Sequence, residues 1–127
     1  MIAVDTSALM AIVLDEPQAA SCIAALEAEE EILVSAGTVA EALIVSRRRN
    51  VGGEMTSLID RLGFDIVPIT PAAARRIAEA YGRWARGVHP AGLNLGDCFA
   101  YEVAKEHGCR LLYIGEGFSR TDVESVL

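Results

Sequence analysis

The chain has 127 residues, of which 52% are apolar, and a net charge of −7 at neutral pH. That length supports a single domain, 1–127, with a full hydrophobic core. The acidic balance argues against broad charge-driven affinity for nucleic acid, and no apolar run approaches the roughly 18 residues that cross a bilayer, so no membrane is expected as a partner.

In chain order, residues 2–4 (Ile-Ala-Val) read as a buried strand and residues 7–14 as a first helix. Pro17 sits where helices start, and Ala19, Ile23 and Leu26 follow at helical spacing up to the acidic run Glu27, Glu29, Glu30, Glu31. Residues 32–34 are a second strand. Residues 38–49 form a helix closed by Asn50 and the Gly52-Gly53 pair, and residues 54–62 another, ended by Gly63. Residues 66–69 are expected to be a strand, bounded by Pro71 at the first position of a helix over 72–86. That helix carries Ile77, Ala80, Tyr81 and Trp84 on one face, as core or dimer surface rather than a base-stacking platform. Residues 87–95 are a loop, 97–107 a helix stopped by Gly108, and 110–114 the last strand. The tail is expected to make a final helical turn. The start has no basic n-region, which speaks against a signal peptide. Cys22, Cys98 and Cys109 form neither an even disulfide framework nor a C-x-x-C pair, so a reducing cytoplasm is the expected location.

Strands that alternate with helices and are apolar on both faces imply an α/β fold, a three-layer α/β/α sandwich around a mainly parallel sheet. In such sheets ligands collect beyond the carboxyl ends of the strands. Asp5 follows the first strand directly and should point into that crevice. Two more acids sit in apolar company: Glu41 among Val39, Ala40, Ala42, Leu43 and Ile44, and Asp97 ahead of Cys98, Phe99, Ala100 and Tyr101. Each has a local explanation. Asp5 can cap the helix near Ser7, Thr38-x-x-Glu41 matches a capping box, and Asn94 can cap the helix that Asp97 opens. Together they suit another role. Three converging carboxylates repel one another and raise their pKa values, a cost that a hard cation with oxygen ligands, Mg²⁺ or Mn²⁺, removes.

These segments also carry a resemblance. IAVDTSAL, TVAEAL, LNLGDCFAYEVAK and LLYIGEGFSRTDV together resemble the PIN-domain ribonucleases, and specifically the VapC toxins of toxin–antitoxin pairs. The likeness covers nearly the whole chain. It implies metal-dependent cleavage of RNA, a homodimer, and a VapB-type antitoxin as partner. Asp5, Glu41 and Asp97 match the three principal acids that hold Mg²⁺ or Mn²⁺. Thr6 or Ser7 matches the hydroxyl residue beside the first acid, and Asn94 a polar residue ahead of the third.

One departure concerns the ending. Family members often read G-D-D-F or G-N-D-F where this chain has Gly115-Glu116-Gly117-Phe118. Gly117 stands where the acid before the Phe is usual, so Glu116 and Asp122 compete for the fourth acidic place. Asp122 keeps the family's register and is the preferred expectation. Arg120, close to both, is a candidate for substrate phosphate together with Thr6, Ser7 and Asn94. Arg47, Arg48 and Arg49 either contact phosphate or complement a helix C-terminus. His89 lies in a loop and His107 at a helix end, which speaks against a paired-histidine ribonuclease, and neither G-x-x-x-x-G-K-[ST] nor G-x-G-x-x-G is present. The competing readings are a Mg²⁺-binding phosphoryl-transfer or receiver-like domain, and a non-catalytic PIN-like partner-binding module.

Overall fold

Four short parallel strands run through the centre of the computed structural model, which describes residues 1–127. They are β1 (Ile2–Val4), β2 (Ile32–Ser35), β3 (Asp65–Val67) and β4 (Arg110–Leu112), in the order β3-β2-β1-β4. Ala3 lies level with Leu33 and Leu111, and Val4 with Leu112. Because side chains alternate along a strand, Ala3, Leu33 and Leu111 enter one core, and Ile2, Val4, Val34 and Leu112 the other. The expected three layers follow from this. Helices α1 (Thr6–Val13), α2 (Ala19–Glu27), α3 (Ala36–Arg48) and α4 (Gly52–Leu62) supply the second core with Leu9, Cys22, Leu26, Ala42 and Met55. Helices α5 (Pro71–Trp84) and α6 (Leu95–Glu106) supply the first with Ile77, Ala80, Trp84, Ala100 and Val103. Fully buried leucines such as Leu9, Leu33 and Leu111 stabilise the fold by about 2 kcal/mol each, which makes the sheet a rigid frame for whatever lies at its edge. No helix is long and apolar enough to cross a membrane.

Several boundaries move for identifiable reasons. Helix α3 starts at Ala36 and not at residue 38, because Ser35 ends β2 and caps the helix by accepting from Gly37 N. Helix α6 starts at Leu95, two residues before Asp97, because Asn94 is the cap. Strand β3 covers Asp65–Val67 and not 66–69; Thr70 and Pro71 already belong to the start of α5, where Thr70 accepts from Ala73 N at 3.1 Å. Strand β4 stops at Leu112 rather than residue 114.

The final helical turn forms as a short 3₁₀ turn over Phe118–Arg120, and the chain then runs beside β4. Leu111 N donates to Glu124 O at 2.8 Å and Val126 N to Leu111 O at 3.1 Å. An exposed strand edge offers unpaired backbone groups, and the tail covers this one. Trp84 is core, 6% exposed, with the Arg83 guanidinium 4.4 Å from its ring centroid, whereas Tyr81 is 46% exposed.

Candidate functional site

The carboxyl ends of β1 and β2 and the N-terminal turns of α1, α3 and α6 meet at one edge of the sheet. Asp5 sits there because it is the residue between β1 and α1. Its backbone N–H still follows the sheet, donating to Leu112 O at 2.9 Å, while its side chain caps α1. Oδ2 accepts from Ser7 N at 3.0 Å and from Ser7 Oγ at 2.6 Å. Ser7 Oγ in turn accepts from Ile114 N at 3.0 Å, so one hydroxyl ties the first acid to the chain beyond β4. The other oxygen, Oδ1, is buried with no hydrogen-bond partner, and the residue as a whole is 3% exposed.

Glu41 reaches the same place from the second turn of α3. Thr6 Oγ1 donates to its Oε1 at 2.6 Å, across 35 residues of sequence. The local alternative, a Thr38–Glu41 capping box, does not form: Ser35 is the cap, and the Thr38 hydroxyl is buried without a partner. Asp97 does take its local role. Its Oδ2 accepts from Asn94 N at 3.0 Å while Asn94 Oδ1 accepts from Asp97 N at 2.8 Å, a reciprocal cap of α6.

Burial is the main reason the Asp5 carboxyl is pushed up to about 7; the two Ser7 bonds work against that, and the charges of Asp97 and Glu41 add to it. Burial likewise raises Asp97, opposed by the Asn94 N–H. The three acids are thus close enough to repel, yet they do not close into a finished coordination shell. Each is tied back by a neighbouring donor. What remains open is a buried, unpartnered carboxylate oxygen flanked by two further carboxylates, and a hard divalent cation is the group that this donor set fits.

A PIN domain model matches residues 2–124. The chain belongs to the PIN-domain family, in its VapC ribonuclease branch. It is 40% identical over 126 residues to a VapC ribonuclease of Mycobacterium bovis, covering 97% of this chain and 96% of that one. It is equally similar, 40% over 126 residues, to a VapC ribonuclease of Mycolicibacterium smegmatis, with 97% and 98% covered. The solved structure of Mycobacterium tuberculosis VapC20, described as a Sarcin-Ricin loop cleaving toxin, superposes with a TM-score of 0.81 at 14% identity over 99% of this chain and 98% of that one. A toxin–antitoxin complex from Klebsiella pneumoniae gives a TM-score of 0.70 at 18% identity, covering 96% and 93%. The receiver-like alternative falls away with the family match.

Within this PIN domain the remaining expected residues separate. Thr6 and Ser7, expected at the substrate, both donate their hydroxyls to the acids. Asn94 is committed to the cap of α6. Arg120 is exposed and donates to Pro90 O at 3.4 Å. Arg47 and Arg48 lie exposed in the last turn of α3, complementing its C-terminus.

Asp122 needs a correction. Its Oδ1 accepts from the Tyr101 hydroxyl at 2.6 Å, and its Oδ2 lies 3.3 Å from Lys105 Nζ and 3.9 Å from Arg83 Nη1. Partial burial opposes its ionisation, but Tyr101, Lys105 and Arg83 outweigh that and hold its carboxyl below the ordinary value. Tyr101, Lys105 and Arg83 are the groups that act on it, and none of Asp5, Glu41 and Asp97 is among them, so the register of the ending does not tie Asp122 to the acids. Glu116 is exposed, and its side chain has no hydrogen-bond or ion-pair partner. Gly117 has φ −57°, an ordinary value for any residue, and its missing Cβ would lie 3.2 Å from Ala91 O.

Proposed function

We propose that the chain is the toxin of a toxin–antitoxin pair and cleaves RNA with Mg²⁺ or Mn²⁺ held by Asp5, Glu41 and Asp97. The observation that carries this is the buried, unpartnered Oδ1 of Asp5 beside two more carboxylates. A divalent cation bound there supplies Lewis acidity to the phosphate oxygens and makes a nearby water easier to deprotonate. The chain's own residues hold the geometry. Ser7 fixes Asp5 by one oxygen and leaves the other for the cation. Thr6 occupies Oε1 of Glu41 and leaves Oε2 for the cation. Asn94 holds Asp97 at the N-terminus of α6, where the helix dipole favours negative charge and hence an approaching phosphate. Purified protein is expected to cut RNA only with Mg²⁺ or Mn²⁺ present, to stop in excess EDTA, and to resume when the metal is restored. Cleavage that persists after exhaustive chelation would overturn the assignment.

Glu116 is the better candidate for a fourth acid, since its carboxylate is free and Asp122's is not. Glu116→Gln is expected to slow cleavage more than tenfold, about 1.4 kcal/mol in the barrier. Asp122→Asn is expected to lower the melting temperature and leave cleavage within about twofold, since it removes the Lys105 ion pair and the charge that strengthens the Tyr101 bond without touching the acids. The opposite pattern in a cleavage assay restores Asp122 to the site.

An antitoxin also needs a surface. A groove of about 590 Å³ between α1, α2 and α4 is lined by Ile12, Val13, Ile23, Leu26, Leu58 and Leu62 and is rimmed by charge at Glu27, Glu54 and Arg61. An apolar helical segment of a VapB-type antitoxin fits it. Ile23, 40% exposed, is the residue to change. Ile23→Glu is expected to prevent a complex with the co-expressed antitoxin while RNA cleavage continues. A complex of native affinity removes the groove from consideration. Light scattering on the free toxin tests the homodimer in the same samples, with a monomer at all concentrations as the refuting result. The free thiols of Cys22, Cys98 and Cys109 agree with a toxin acting in the reducing cytoplasm.

A further inference from the structure

Gly96 stands in the first turn of α6, directly before Asp97, with none of the usual reasons for glycine. Its φ lies outside the left-handed region, and it forms no turn. Glycine is a weaker helix former than alanine, so a helical glycine without a conformational task points to a need for space. The space is occupied. A Cβ built on Gly96 would overlap the Glu41 carboxylate, with Oε1 at 2.7 Å and Oε2 closer still. The other side of that carboxylate is held by Thr6 at 2.6 Å.

The contact has a counterpart four residues earlier on α3. A Cβ on Gly37 would lie 2.6 Å from the ring of Phe99, which is on α6 three residues beyond Gly96. Residues four apart share a helix face, as do residues three apart. The two helices therefore cross through a double close approach: Phe99 of α6 into Gly37, and Glu41 of α3 into Gly96. The two halves differ physically. Gly37 faces a half-buried aromatic ring packed in the core, whereas Gly96 faces the end of a flexible side chain that a single hydrogen bond from Thr6 holds in place.

We propose that Gly96 is a positioning residue: its missing Cβ lets the Glu41 carboxylate lie against the first turn of α6 and so sets the distance between Glu41 and Asp97. It rests on the reading of Glu41 and Asp97 as metal-holding acids. Gly96 itself touches neither metal nor RNA. An alanine there displaces the Glu41 carboxylate, which can swing away, and leaves the helices in place. An alanine at Gly37 has no such outlet and pushes on Phe99.

The test compares Gly96→Ala with Gly37→Ala. In EDTA, Gly96→Ala is expected to melt at or above the wild-type temperature, while Gly37→Ala melts lower. In the metal-free protein the side-chain carboxyl ¹³C resonance of Glu41 shifts in Gly96→Ala. By calorimetry Mn²⁺ affinity falls more than tenfold, and RNA cleavage falls with it. On a Glu41→Gln background Gly96→Ala produces no further loss of Mn²⁺ affinity, and Glu41→Asp, whose shorter side chain clears the new Cβ, recovers part of the affinity lost in Gly96→Ala. An unmoved Glu41 resonance, native Mn²⁺ affinity, losses that multiply on the Glu41→Gln background, or a Gly96→Ala protein that fails to fold each overturns the proposal. A wild type that neither binds Mn²⁺ nor cleaves RNA overturns instead the reading of the site, and the Glu41 resonance then still decides the Gly96 contact.

Discussion

Asp5→Asn is expected to reduce RNA cleavage by more than about 100-fold, or ~2.7 kcal/mol in the barrier, and at pH 8 to raise the melting temperature of the metal-free protein by several degrees. Loss of activity with gain of stability separates a strained functional acid from a structural one. The strain is visible as a carboxyl pushed up to about 7 from its ordinary value of 3.8, mainly by burial. Below about pH 4 the group is protonated in both the folded and unfolded chain and costs nothing. Between about pH 4 and 7 the unfolded chain releases the proton and the folded chain retains it, so the folded state binds more protons and stability falls as pH rises. Above about pH 7 both are ionised and the full penalty remains, on the order of 4 kcal/mol as an upper value. Asparagine is as good a helix cap as aspartate, so α1 keeps its N-terminus and only the penalty is removed. The checks are a cleavage assay and melting curves between pH 4 and 8 in EDTA. Near-native cleavage, or a variant that melts below wild type at pH 8, would sink the role assigned to Asp5.

Millimolar Mn²⁺ is expected to raise the melting temperature of the wild type, and to do so more at pH 8 than at pH 5. Binding to the folded chain alone stabilises by about 2.7 kcal/mol when the free metal is 100 times its Kd. The pH dependence follows because metal and proton compete for the same oxygens. As pH falls through about 7 the Asp5 carboxyl takes up its proton, and burial raises Asp97 in the same direction. Each protonation must be reversed before the metal binds, so the stabilisation shrinks. Asp97→Asn is expected to abolish most of the shift at both pH values. A shift of equal size at pH 5 and pH 8 would mean that the metal binds elsewhere, on ordinary surface carboxylates.

Much of this protein is written locally in its residues, and the reason is period. Ile2, Ala3 and Val4 have neighbours of their own kind on both sides, so a strand buried on both faces, and hence a parallel sheet, can be read from three letters. Asp5 and Asp97 announce themselves because each interrupts or opens an apolar element, and the caps that hold them lie within three residues. The edges of elements were harder to read. Ser35 and Asn94 extend α3 and α6 toward the site by two residues each, since a cap decides where a helix begins and its apolar stripe does not.

What the residues determined by themselves is therefore the element order, the parallel sheet, and the location of acids at its carboxyl edge. The tertiary structure decided what each acid is attached to. Glu41 has a plausible partner three residues back in Thr38 and an actual one 35 residues back in Thr6. Asp122 keeps a familiar spacing from the chain end, yet its carboxylate is taken by Tyr101 and Lys105 on α6. Gly96 looks like an ordinary glycine before a helix until α3 is packed against it and its missing Cβ proves to be where a carboxylate lies. Local periodicity is set by backbone geometry that every residue carries with it. The partner of a long, charged side chain depends on which elements the core brings within a few ångströms of it, and that is settled only when the whole chain has packed.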